Sequence, residues 1–340
     1  MHARLLRLYR FSGAAVLLMA AVVLLGLWLD NYFILFADAL LLLLLGTVGV
    51  YLWIHPLTEQ LAVRAETLNH QVIEAEAARD QASVERADLQ HALEDAGHRL
   101  RIAREIQFQL FPMQPPSVPG IDIAGATFPA EEVDGDYFDY LRLPDESLLI
   151  AIGDACGHGL GAALIAARTQ ACLHTLCRVE NDVDQMMAQL NNVLCDGMPD
   201  DRFMTLLLAR LDAEQRTLTY ASAGHATGYV LRRDGSVRLE LTSTAMPLGV
   251  EAQWSSADAY VVALEPHDLI VLLTDGIIEA QDPRGESFGV NRLVRLLHAS
   301  WAERTMDMIM KLNDAVTSHC APRDVIDDIS AVVIRVDGQD

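Results

Sequence analysis

A chain of 340 residues is long enough for a buried catalytic core with accessory segments. Its 47 acidic against 25 basic side chains give a formal net charge of −22, which argues against a nucleic-acid partner, since phosphate binding relies on clustered Lys and Arg. The five cysteines, Cys156, Cys172, Cys177, Cys195 and Cys320, form no CxxC pair and no regular spacing, so neither a disulfide framework nor a zinc knuckle is expected.

Residues 12–29 are almost wholly apolar, and after Asp30 and Asn31 a second apolar stretch covers residues 33–54. Each is close to the roughly 20 residues that a helix needs to cross the hydrocarbon core. A cleaved signal peptide also starts with a basic lead, but the first run is long and a second follows at once, so the pattern predicts a transmembrane helical hairpin over residues 1–56. Arg4, Arg7 and Arg10 hold the N-terminus in the cytoplasm by the positive-inside rule, and two spans return the chain there. The expectation is a multi-pass protein of the inner (cytoplasmic) membrane, with both termini and the catalytic part cytoplasmic. The link at Asp30 to Tyr32 is too short for an external sensing domain, and Asp38 is expected near the outer interface.

After Pro56 the composition turns to Glu, Arg, Gln and Ala, with no further Pro or Gly until Gly97. Leu61, Leu68, Ala75, Ala82, Leu89, Ala96, Ala103 and Leu110 recur at heptad spacing, and Ala65, Val72, Leu93 and Leu100 supply much of a companion seam. The pattern predicts a coiled-coil signalling helix over residues 57–110 that pairs in parallel as a homodimer, the alternative being a single solvated helix. Arg79 and Arg86 fall on the companion seam and weaken its middle.

From residue 111 onward the pattern shortens. Apolar runs such as Ser147 to Gly153, Phe203 to Leu211, Thr217 to Ala221 and Leu269 to Thr274 read as strands, and helical patterns cover about Gly161 to Arg178, Val183 to Cys195 and Asn291 to Ala299. Turn residues around Glu214 and at Asp234–Gly235 predict hairpins between antiparallel strands. An α+β domain of stacked sheets with outer helices follows for residues 111–340.

Four acidic clusters punctuate this domain: Asp136 in VDGDYFD, Asp154 in IGDACGHG, Asp275 in LLTDGIIEA, and Asp327 with Asp328 in DDISAVVI. Three of the four lie at an end of a strand-like run, from which a carboxylate can reach a shared cleft; oxygen donors of that kind suit hard ions such as Mg²⁺ or Mn²⁺. A single Asp-Gly pair is more often an ordinary turn, but four clusters in this order are not explained that way.

Residues 103–336 resemble the metal-dependent PPM protein phosphatases, specifically their bacterial SpoIIE/RsbU-like branch. The resemblance is carried by AREIQFQLFP (103–112), FPAEEVDGDYFD (128–139), GDACGHGLGAAL (153–164), FMTLLLARLD (203–212), YASAGHATGYVL (220–231), PLGV (247–250), LLTDGIIEA (272–280), ESFGVNRL (286–293) and DDISAVVIRV (327–336). It implies an antiparallel β-sandwich flanked by helices, with two divalent cations, Mn²⁺ or Mg²⁺, at one end of the sheets. By motif position Asp136 would bridge both ions, Asp154 and the carbonyl of Ala155 would serve one, and Asp275 with Asp327 the other, with Asp328 replacing Asp327 if the last ligand is shifted by one. Asp136, Asp154 and Asp275 are the catalytic candidates, preparing water for in-line attack on a phosphoserine or phosphothreonine. The substrate implied is a phosphorylated anti-sigma-factor antagonist of STAS type. A degenerate module that docks such a partner as a dimeric scaffold is the alternative. A small-molecule phosphohydrolase is weaker, since no GxxxxGK[ST] loop appears.

Two departures from the family pattern stand out. Asp134 occupies a position where the family usually has glycine, so any positive φ there would be strained, and its extra carboxylate could touch the metal shell. Ser330 stands where threonine is common. His158 and His225 lie in GHG and AGH contexts that more often fix a turn than donate a proton, and no covalent role is expected for Cys156.

Overall fold

The computed structural model describes residues 15–25, 32–130, 132–199, 201–254, 257–323, 325 and 327–338. Packing divides the chain into two units, residues 1–92 and 93–340. The basic lead at Arg4, Arg7 and Arg10 and the link at Asp30–Asn31 lie outside the described residues.

In the first unit helix α1 covers Ala15–Leu25 and helix α2 begins at Tyr32. Helix α2 is continuous from Tyr32 to Phe108 and carries Pro56 in its interior, where one backbone hydrogen bond is lost without ending the helix. The second apolar run and the heptad segment are thus one helix rather than two. It is long and apolar enough to cross a membrane by length and composition, whereas α1 is shorter. Leu40, Leu43, Leu44 and Leu52 are exposed, as are the heptad residues Leu61, Leu68, Val72 and Leu89.

The second unit contains two five-stranded antiparallel sheets with the orders β1-β10-β9-β6-β7 and β2-β3-β4-β5-β8. The first is built from β1 (Ile121–Phe128), β10 (Ile329–Val336), β9 (Leu269–Leu273), β6 (Gly228–Leu231) and β7 (Val237–Leu241); the second from β2 (Asp136–Arg142), β3 (Leu148–Ala155), β4 (Met204–Asp212), β5 (Thr217–Ala223) and β8 (Tyr260–Ala263). Alternate side chains of one strand serve two cores. Leu148, Ile150 and Ile152 of β3 meet Ile270 and Leu272 of β9 and Val332 and Ile334 of β10 between the sheets. Leu149 and Ala151 face outward onto α3 (Leu160–Leu176) and α4 (Val183–Cys195), through Ala162, Ala166, Leu173, Met186 and Leu190. Leu269, Val271 and Leu273 face α6 (Gly289–Ala299) and α7 (Thr305–Cys320), through Leu293, Leu297, Met308 and Leu312. A strand covered on both faces needs apolar residues at every position, which is why β3 and β9 read as unbroken apolar runs rather than alternating ones.

The α+β sandwich with outer helices is the architecture expected. The hairpins expected around Glu214 and Asp234–Gly235 join β4 to β5 and β6 to β7. Strands β1 and β2 are consecutive in the chain but belong to different sheets, so the chain changes layer between Phe128 and Asp136.

Candidate metal centre

Asp136 opens β2 and pairs directly across the ladder with Asp154 near the end of β3. Like charges placed opposite one another destabilise a sheet unless something compensates them. On the other sheet, β9 ends at Leu273 and Asp275 begins the short helix α5 (Asp275–Ile278), while Asp327 and Asp328 immediately precede β10. Leu273 pairs with Ala331, so these carboxylates also stand at one shared strand end. Asp134, two residues before β2, also acts on Asp136 and Asp154.

The electrostatics show how closely the groups meet. Burial, then the charge of Asp154, push the Asp136 carboxyl well above the usual range, and Asp328 and Asp134 add to the shift. The Asp154 carboxyl is pushed up to about 7 by burial and by Asp275, Asp327, Asp328 and Asp134. Asp275 is raised by burial and by Asp327. The carboxylates expected from sequence therefore act on one another through Asp154, which feels Asp275, Asp327 and Asp328, with Asp327 acting also on Asp275 and Asp328 on Asp136. Among the described residues no group of three or more His, Cys, Asp or Glu side chains is closed to the spacing of an occupied metal site.

Local packing explains the backbone around these groups. A Cβ on Gly135 would fall 2.6 Å from the Ala155 carbonyl oxygen and 3.1 Å from Asp154 Oδ1, and one on Gly276 would fall 2.1 Å from the Asp328 carbonyl oxygen. These glycines are required by close approach, not by a positive φ. Asp134 is not among the non-glycine residues with positive φ, so the strain that a positive φ would bring there does not arise. The Ala155 N–H donates to the Gly135 carbonyl at 3.1 Å, which ties the crossover to β3.

Residues that sequence reasoning passed over complete the frame. The Thr274 hydroxyl donates to Asp136 Oδ2 at 2.9 Å and accepts the Ser330 N–H at 3.1 Å, joining the two sheets through one side chain. Ser330 in turn donates to the Thr127 hydroxyl at 2.8 Å. From the last turn of α2, Gln107 Nε2 donates to the Asp134 carbonyl at 2.8 Å and to Asp134 Oδ1 at 3.3 Å, while Gln107 Oε1 accepts the Asp134 N–H at 3.3 Å. Thr274 was within reach of sequence reasoning because it adjoins Asp275; Gln107 carries no local signal, since its partner lies 27 residues on.

His225 is buried, and desolvation lowers its pKa to about 4, so the ring is neutral at physiological pH. Its Nδ1 lies 2.9 Å from the Thr205 hydroxyl, which donates to the Asp154 carbonyl at 3.2 Å. His225 therefore supports β3 through Thr205. His158 is exposed beside the same loop. Cys156 Sγ accepts the Phe203 N–H at 3.2 Å, which ties it to the start of β4. A cleft of about 310 Å³ lined by Thr205, Gly224, His225, Asp275 and Glu279 opens beside Asp275.

The donor set fits hard divalent ions. It consists of carboxylate and carbonyl oxygens, the repelling pair Asp136–Asp154 lies in a partly dry site, and Asp134 Oδ2 is buried without a partner among the described residues.

Comparison with known proteins agrees with this geometry. The family described as "Stage II sporulation protein E (SpoIIE)" matches residues 144–337. "Phosphoserine phosphatase RsbU" of Bacillus subtilis (strain 168) is 26% identical over 242 residues, covering 69% of each chain. "Protein IcfG" of Synechocystis is 25% identical over 271 residues, covering 71% of this chain but 42% of that one. Among solved structures, the SiaA-PP2C domain of Pseudomonas aeruginosa superposes with a TM-score of 0.62 at 22% identity, covering 72% of this chain and 99% of the domain. The RsbU and RsbW domains of Rv1364c from Mycobacterium tuberculosis give 0.57 at 24% identity, covering 66% and 62%. At these identities the structural likeness speaks to the fold alone, which is that of a PP2C phosphatase.

Proposed function

Because this chain belongs to the SpoIIE family, whose members are metal-dependent, it is a protein-serine/threonine phosphatase acting in signalling, and we propose that Asp136, Asp154, the Ala155 carbonyl, Asp275 and Asp327 form its metal centre. One observation carries that assignment: Asp136 and Asp154 are paired across β2 and β3, and the charges that press on Asp154 come from Asp275, Asp327 and Asp328 on the other sheet. Cations among the carboxylates would relieve the repulsion that this arrangement builds in. Asp328 is the alternative to Asp327; its Oδ1 accepts the Ala130 N–H at 2.7 Å, whereas Asp327 Oδ1 accepts the N–H of Asp328 at 2.9 Å.

Bound Mn²⁺ or Mg²⁺, two in this reading, supplies Lewis-acid polarisation of phosphate oxygens and makes water acidic enough to attack at neutral pH. The chain's own residues set the geometry. Thr274 fixes one oxygen of Asp136, the glycines at 135 and 276 allow the crossover and the 327–328 turn to close on the site, and Thr205 with His225 holds the backbone of Asp154. The cleft beside Asp275 admits the phosphorylated side chain.

The substrate we assign is a phosphorylated STAS-type anti-sigma-factor antagonist. Similarity to a protein named phosphoserine phosphatase RsbU supports this, as does the occurrence of an RsbU domain together with an RsbW domain in a structural neighbour. Residues 1–56 anchor the chain in the inner membrane as a two-span hairpin, supported by the apolar α1 and the apolar start of α2. Residues 57–110 pair two copies as a coiled coil, supported by the exposed heptad residues Leu61, Leu68 and Leu89. Residues 111–340 then face the cytoplasm as the phosphatase domain.

The test is phosphate release from a phosphorylated STAS-domain protein with and without Mn²⁺, beside Asp275→Asn. Metal-dependent release that this change abolishes supports the reading. A docking module without turnover would leave release at background in every arm.

A further inference from the structure

Asp134 is a buried carboxylate of which only one oxygen has a structural partner among the described residues. Its side chain is 2% exposed, and Gln107 holds it by three hydrogen bonds that engage the backbone N–H, the backbone carbonyl and Oδ1. Oδ2 is left buried with no partner among the described residues. Neither protonation state explains that oxygen: ionised, it lacks a donor or cation, and protonated, its O–H lacks an acceptor. The charge that acts on it most is the like charge of Asp328, and Asp134 in turn presses on Asp136 and Asp154. Arg104, the opposing cation, is engaged with Glu132 at 3.4 Å. An oriented, dry, unpartnered carboxylate oxygen facing other carboxylates is what an additional ligand for a divalent ion looks like before the ion arrives.

We propose that Asp134 is an additional carboxylate ligand of the metal centre, and that Gln107 at the end of α2 is its positioning residue. The inference rests on the assignment of the centre to Asp136 and its partners. It goes beyond that assignment by adding a ligand and by giving a buried side chain of α2 a direct hold on that ligand.

Mn²⁺ binding to the full chain in detergent micelles, followed by the spin-resonance signal of free Mn²⁺, tests this without reference to turnover. Asp134→Asn and Asp134→Gly should each bind Mn²⁺ at least about tenfold more weakly than the unaltered chain. Removing a buried unpartnered carboxylate should also leave the metal-free thermal midpoint unchanged or higher, so weaker binding cannot be ascribed to misfolding. Gln107→Ala should weaken binding less, and should add little to Asp134→Asn because Gln107 acts only by orienting that carboxylate. Affinity within about twofold of the unaltered chain in both Asp134 variants, with binding abolished by Asp136→Asn, would overturn the added ligand and leave the centre intact. Should Asp136→Asn also bind normally, the centre itself is misassigned and the added ligand falls with it.

Discussion

Strand β9 lies between two aspartates that meet opposite fates. At its start Asp268, 1% exposed, receives Arg238 Nη2 at 2.6 Å and the Glu265 N–H at 2.8 Å. Its neighbour β10 ends the same way, with Arg335 on Asp122 at 2.7 Å, and Asp122 also accepts the N–H and hydroxyl of Thr305 at the start of α7. At the other end of the same two strands stand Asp275, Asp327 and Asp328, and the charges acting most on Asp154 across the sandwich are carboxylates too. Burial alone therefore does not distinguish a structural carboxylate from a functional one. The sign of its neighbours does: a buried acid matched by arginine is finished, and one matched by other acids awaits a cation.

The difference can be broken from either end. The largest effect is expected at the unmatched end: Asp275→Asn should lower metal-dependent phosphate release by at least ~10³-fold, several kcal/mol of lost transition-state stabilisation, without lowering metal-free thermal stability. At the matched end Asp268→Ala should do the reverse, since it strands Arg238, 13% exposed, without its main partner. A loss of about 3 kcal/mol in urea unfolding with unchanged Mn²⁺ affinity is expected. Equal effects of the two changes on metal binding would erase the distinction.

Gly276→Ala sharpens the comparison without touching a charge. The new methyl would lie 2.1 Å from a backbone oxygen of Asp328, so the 327–328 turn must move. Overpacking of this kind costs about 1–3 kcal/mol, and calorimetry should show weaker Mn²⁺ binding as well.

The smallest effect is a pH dependence whose sign depends on the metal. Asp134 and Asp154 are raised from 3.8 to about 7, so the stability their protonation confers is fully present below 3.8 and is lost as pH rises through about 7. Metal-free protein should therefore gain on the order of 5 °C in thermal midpoint as pH falls from 8 to 6, and saturating Mn²⁺ should remove that gain because the ligands must be ionised. His225 opposes the trend at lower pH. Its pKa is lowered from 6.5 to about 4, so its contribution is complete above 6.5 and lost as pH falls toward 4. Scanning calorimetry over pH 8 to 4.5 should show a maximum in between.

Much of this was legible in the sequence. Strands β3 and β9 declare themselves as unbroken apolar runs because both their faces are covered, and the β4–β5 and β6–β7 turns carry turn residues. Helix α7 escaped although Met308, Ile309, Leu312, Val316 and Cys320 recur at helical spacing. The four acidic clusters were visible, but their meeting depends on ladder pairings such as Asp136 with Asp154, which no local pattern encodes. Asp134 shows the limit from the other side. A departure from glycine suggested strain, yet the tight position proved to be Gly135, one residue on, through its approach to the Ala155 carbonyl.

The change of layer between β1 and β2 places the two halves of the centre on separate sheets, and the Thr274 hydroxyl ties them together locally. On the assignment above, an ion seated there is a rivet between sheets rather than an ornament on one of them. Amide exchange at the near ends of β2, β3, β9 and β10 should then slow in concert when Mn²⁺ is added, while the arginine-matched far ends keep their own rates.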